Sequence, residues 1–97
     1  MEIKTTGVAG TVESSDIQIM ISKGTDGIQI DLDSEVAKAY GDQIKKVITD
    51  TLKKYGLDNV KVKATDKGAL DCVIEARTLA AAQRATETSD KPELGVL

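Results

Sequence analysis

The chain has no histidine, phenylalanine or tryptophan, and only one proline, one cysteine and two tyrosines in 97 residues. Each shortage excludes something. Without histidine, Ser-His and Cys-His catalysis is closed to this chain and the commonest metal ligand is missing. A single cysteine, Cys72, excludes an intrachain disulfide. So few aromatics leave no stacking platform for single-stranded nucleic acid. The 13 basic and 16 acidic residues are interleaved without a basic block, for a net charge of −3. That argues against nucleic acid, where clustered Lys and Arg supply much of the affinity. Residues 1–7 lack the apolar core of a signal peptide, and no run approaches membrane-spanning length. The expected location is the cytoplasm, with no membrane partner.

What is present is aliphatic. Hydrophobic residues make up 40% of the chain, and Ile, Val, Leu and Ala must fill the core. Ninety-seven residues support one core rather than two, with ordinary rather than high stability. The expected division is a single domain over 1–86 and a frayed tail over 87–97, which holds Pro92.

The pattern along the chain changes period three times. Residues 1–7 read as a loose start and Val8–Val12 as a short extended segment broken by Gly10. Ile17, Ile19 and Ile21 alternate with polar residues, and so do Ile28, Ile30 and Leu32. A Gly-containing loop joins the two runs, which predicts an antiparallel hairpin. From Glu35 to Tyr55 the apolar residues Val36, Tyr40, Ile44, Val47, Ile48, Leu52 and Tyr55 make a helical stripe. Asp33 or Ser34 suits its N-cap and Gly56 its left-handed C′ position, while Gly41 lies inside it. Val60–Ala64 alternates again. Leu70, Cys72, Ile74 and Ala76 share a face, which predicts a second hairpin across Asp66-Lys67-Gly68. Thr78–Thr86 then reads as a short helix. The expected class is α+β: a two-layer sandwich with an antiparallel sheet of about four strands (two hairpins), one long and one short helix, in the order ββαββα.

Four sets of residues are candidates for chemistry. Ser14 lies in Ala9-Gly10-Thr11-Val12-Glu13-Ser14-Ser15-Asp16. With no histidine to serve as its base it is a poor nucleophile, so its functional reading is as a recipient of modification by another enzyme. On composition alone, a plain loop or cap serine is the commoner explanation. Ser34, in Asp33-Ser34-Glu35, is reminiscent of the phosphopantetheine site of all-helical acyl carriers, but it follows a strand and helix capping accounts for it. Cys72 falls in phase with Leu70 and Ile74 and is expected to be a buried small hydrophobe. The carboxylates Glu13, Asp16, Asp31, Asp33, Asp66 and Asp71 match no calcium loop, and solvated turn or sheet-surface roles are expected for them. No catalytic residue and no metal site is expected. Glu13 and Asp16 flank Ser14 and are expected to steer it toward basic partner surfaces.

The run Val8–Asp16 closely resembles the N-terminal signature of the citrate lyase acyl carrier family, the gamma subunits of citrate lyase. Tyr40-Gly41-Asp42-Gln43-Ile44 and Asp66-Lys67-Gly68-Ala69-Leu70-Asp71-Cys72 are similar to two further motifs of that family, the latter followed by Glu75-Ala76-Arg77. The resemblance covers about residues 1–86. It implies a non-catalytic carrier subunit. The serine matching Ser14 would hold 2′-(5″-phosphoribosyl)-3′-dephospho-coenzyme A through a phosphodiester and bear acetyl and citryl thioesters. The implied partners are the alpha subunit, the beta subunit and the transferase that attaches the group. Position 15 of the motif calls for glycine or another small residue, and here it is Ser15. The carrier subunit of malonate decarboxylase is the neighbouring reading, and an unmodified protein-binding module is a reading from another class.

Overall fold

Two strands form where alternation is strict, and they are the middle of the sheet. A computed structural model describes residues 3–35 and 37–86. Strand β2 (Ile17–Lys23) puts Ile17, Ile19 and Ile21 inward, each fully buried. Strand β4 (Val60–Asp66) does the same with Val60, Val62, Ala64 and Asp66, and turns Lys61 and Lys63 outward. The two run antiparallel, with Ile19 opposite Ala64 and Ile21 opposite Val62. A short β1 (Gly7–Ala9) pairs antiparallel with β2, and β3 (Ile28–Ser34) pairs parallel with β4. The sheet order is β1-β2-β4-β3. One face is covered by α1 (Ala37–Tyr55) and α2 (Asp71–Ala85), giving a two-layer α+β sandwich of four strands and two helices.

Neither expected hairpin forms. β4 inserts between β2 and β3, so the chain runs β1-β2-β3-α1-β4-α2. The long crossover through α1 makes the parallel β3–β4 pair accessible. The loop after β2 wraps the start of β4 instead of turning back on itself. Gly24 N–H donates to the Asn59 carbonyl at 3.3 Å, and Val60 N–H donates to the Gly27 carbonyl at 3.2 Å. A side chain at Gly24 would press on the Val60 backbone. The second correction concerns Leu70–Ala76: Leu70 is the extended N-cap of α2, and the helix begins at Asp71. Over seven residues a strand face and a helix stripe share positions i and i+4. The longer pattern decides: Ile74, Thr78, Ala81, Ala82 and Ala85 are the buried face of α2. That phase turns Cys72 outward, so the free thiol is exposed rather than in the core.

α1 follows its expected stripe, with Ile44, Ile48 and Leu52 buried and Val47 and Tyr55 half-buried. Tyr40 departs from it and stands 56% exposed. Gly41 is buried. The helix ends as its sequence implies. Gly56 takes φ +98°, and Leu57 N–H donates to the Leu52 carbonyl at 2.9 Å while Leu57 packs into the core. Val36, expected in the helical stripe, and the expected tail from 87 lie outside the described residues. From residue 3 the N-terminal segment is tied down rather than loose. Lys4 and Thr5 N–H donate to the Ala85 carbonyl, and Ile3 packs against the core. Gly7 lies so close to the backbone of Ala81 and Ala85 that a Cβ would collide with it. The small alanine stripe of α2 allows that approach to β1 and β2.

Candidate functional site

The segment between β1 and β2 is exposed yet fixed. Gly10, at φ +88°, lies against the Ile17 carbonyl and beneath the Arg77 side chain, leaving no room for a Cβ. Asp16 N–H then donates to the Glu13 carbonyl at 3.2 Å, closing a turn over Glu13, Ser14, Ser15 and Asp16. Ser15 is the third residue of that turn and adopts φ +67°. A turn of this kind favours glycine there, because an L side chain crowds the following carbonyl. This is the physical reason for a small residue at position 15. Ser14 occupies the outer corner and is exposed, and its hydroxyl has no hydrogen-bond partner among the described residues.

Two sets of bonds hold the turn. The first is to the end of β4: Ser15 N–H donates to the Lys67 carbonyl at 2.7 Å, and Lys67 N–H donates to the Asp16 carbonyl at 2.9 Å. The second converges on the Asp16 carboxylate. Thr11 donates to Oδ2 from its N–H at 3.1 Å and its hydroxyl at 2.7 Å. Ile17 N–H donates to Oδ1 at 2.7 Å. Arg77, from α2, closes a two-point contact through Nε at 3.0 Å and Nη2 at 3.3 Å. The Arg77 guanidinium, with Thr11 and the Ile17 amide, holds the Asp16 carboxyl well below the usual carboxylate range. Thr11 Oγ1 also accepts from Glu13 N–H at 3.2 Å.

This changes the reading of the flanking acids. Glu13 is exposed, but Asp16 is not a solvated steering charge. Its side chain is 14% exposed and matched by Arg77, so it organises the loop. Arg77 is the participant that sequence reasoning missed as a site residue. It lies 61 positions from Asp16, and a single Arg on a helix carries no local signal of such a contact.

Ser34 lies elsewhere in the hydrogen-bond network. It ends β3 in register with Asp66, and its hydroxyl donates to Asp66 Oδ2 at 2.9 Å. Asp66 is 1% exposed rather than solvated, and its Oδ1 accepts from Ala69 N–H at 3.0 Å. The pair ties the ends of β3 and β4 to the connection into α2. Beside that connection a groove of about 410 Å³ runs past Tyr40, Ile44, Ala69 and Leu70. Among the described residues no group of His, Cys, Asp and Glu is placed to hold a metal ion. No helix is long and apolar enough to cross a membrane, again among the described residues.

Known proteins share both sequence and fold with this chain. Residues 4–85 match the acyl carrier family described as malonate decarboxylase delta subunit (MdcD). The citrate lyase acyl carrier protein of Lactobacillus acidophilus is 86% identical over 97 residues, covering all of both chains. That of Lactobacillus helveticus is 84% identical, also over the full length of both. Among solved structures, a chain of the Pseudomonas malonate decarboxylase hetero-tetramer with malonate has the same fold at TM-score 0.66 and 16% identity, over 87% of this chain and 82% of that one. The α+β sandwich and the full-length identity agree: the chain belongs to the citrate lyase acyl carrier protein family.

Proposed function

We propose that the chain is the acyl carrier subunit of citrate lyase and holds its group at Ser14. The observation that carries this reading is 86% identity over every residue to a citrate lyase acyl carrier protein. The geometry around Ser14 supports it. A carrier needs one accessible hydroxyl on a defined backbone, and Ser14 stands at the corner of a turn anchored on both sides. A large group on its oxygen meets open solvent. The group proposed is 2′-(5″-phosphoribosyl)-3′-dephospho-coenzyme A, whose thiol would bear acetyl and citryl thioesters while citrate is cleaved to acetate and oxaloacetate.

The chain's own residues do no bond-making in this scheme beyond offering the Ser14 hydroxyl. Thr11, Asp16 and Arg77 hold the turn, and the sandwich keeps its two ends in place. The base needed to activate Ser14 must come from the transferase that modifies it. The alpha and beta subunits would act on the carried acyl group in turn, and tethering raises its effective concentration at both of their active sites. The setting proposed is the cytoplasm. The malonate decarboxylase carrier role is the second reading, because the matching family description names that enzyme. The full-length relatives at 84–86% identity favour citrate lyase.

The test is the intact mass of the chain from cells growing on citrate, with peptide fragmentation to locate any adduct. One large adduct on Ser14, bearing acetyl or citryl, is expected. An unmodified chain contradicts the carrier reading, and malonyl loading favours the second one.

A further inference from the structure

Two adjacent serines are exposed at the same loop, and chemistry alone does not separate their hydroxyls. Resting on Ser14 as the attachment point, we infer that the Arg77–Asp16 clasp is what directs modification to Ser14 rather than Ser15. Arg77 is a positioning residue in this account: it touches Asp16, and Asp16 sets the turn.

The geometry gives each serine a different place. Ser14 is the second residue of the turn and is exposed. Ser15 is the third, at φ +67°, with its N–H committed to the Lys67 carbonyl at 2.7 Å. That φ is unfavourable for a residue with a Cβ, so the turn needs anchoring from outside. Beside the Lys67 bonds, the Asp16 carboxylate is the second anchor. One carboxylate gathers the Thr11 amide and hydroxyl, the Ile17 amide and two donors of Arg77. Three of these bonds are local to the loop, and only Arg77 connects it to a helix that is itself packed in the core. Removing Arg77 frees the turn from α2 without removing any buried side chain, since Arg77 is 43% exposed.

The step at issue is a phosphodiester formation. Serine Oγ attacks the phosphorus of an activated donor, a phosphoanhydride form of the arm. The Oγ–P bond forms, the bond to the leaving phosphate group breaks, and the hydroxyl proton passes to a base on the transferase. In-line attack requires the hydroxyl to sit opposite the leaving oxygen. A turn locked in one shape presents only Ser14 that way. A turn that samples several shapes presents either serine, and the preferred one less often. The apparent affinity for the transferase falls by the fraction of time the competent shape is populated.

The experiment uses Arg77→Gln, Arg77→Lys and the unaltered chain, each produced in citrate-grown cells and also treated with the purified transferase. Fragmentation of the adduct-bearing peptide assigns the serine, and hydrogen exchange at the Ser15 amide reports the turn. In Arg77→Gln we expect roughly tenfold higher KM for the carrier with kcat nearly unchanged. We also expect faster exchange at Ser15, unchanged exchange at Ile19 and Val62, and a measurable share of adduct on Ser15. Arg77→Lys, which keeps the charge but loses the fork, should fall between. A change in overall stability alone would move the core amides and leave the chosen serine unaltered. Adduct confined to Ser14 at the normal KM in Arg77→Gln overturns the inference while leaving the carrier function standing. An unaltered chain with no adduct on either serine overturns both.

Discussion

Ser14 and Ser34 are the same residue beside the same kind of neighbour, and the fold uses them in opposite ways. Ser34 ends a strand, and its hydroxyl is donated to the buried Asp66. Ser14 ends nothing and its hydroxyl is unengaged among the described residues, while the acid two positions on, Asp16, is consumed by Thr11, Ile17 and Arg77. In one region the side chain is part of the structure. In the other the backbone is fixed so that the side chain is left available. Exposure alone does not distinguish them as well as this division of hydrogen bonds does.

The comparison can be broken at the structural end first. Asp66→Ala would leave the Ser34 hydroxyl and the Ala69 amide without this acceptor in a buried place. We expect a loss of about 3 kcal/mol in denaturant unfolding, the largest effect among these variants, with modification of Ser14 retained at temperatures where the chain is folded. Asp16→Asn should cost less, about 2 kcal/mol, because its loop is partly solvated, but should slow modification markedly. Its stability effect depends on pH with a definite sign. The folded chain favours ionised Asp16, so the contribution is complete well above the unfolded value of about 3.9 and is lost as pH falls below it. The stability gap between the unaltered chain and Asp16→Asn should therefore narrow between about pH 5 and pH 2. The smallest effect runs the other way. Ser15→Gly relieves the positive φ and should stabilise the chain by up to about 1 kcal/mol, read as a small rise in melting temperature, with the adduct still on Ser14.

How much of this was legible in the sequence depends on the range of the interaction. Strict alternation placed β2 and β4, and the aliphatic stripe with its terminal Gly56 placed α1, because those signals are local. Pairing was not local. The loop between β2 and β3 looks like a hairpin turn, and only the contacts of Gly24 and Gly27 with Asn59 and Val60 reveal that β4 passes between them. α2 was half hidden because Leu70 to Ala76 satisfies both periods. Its fuller stripe, Ile74-Thr78-Ala81-Ala85, was present in the sequence, with alanine and threonine as its markers rather than large apolar residues. The same error of phase put Cys72 in the core. At the site, the motif singled out Ser14 as the serine to test, and the positive φ at position 15 suits a small residue. The Asp16–Arg77 contact was not legible, since it joins a loop to a helix across most of the chain.

The central claim is that Ser14 is the attachment point, and it rests on one oxygen. The direct measurement is the mass of four chains isolated from citrate-grown cells: unaltered, Ser14→Ala, Ser15→Ala and Ser34→Ala. The account predicts the same large adduct on the first, third and fourth, and none on Ser14→Ala although that chain folds normally. An adduct that survives in Ser14→Ala, or disappears instead from a folded Ser34→Ala, would contradict it.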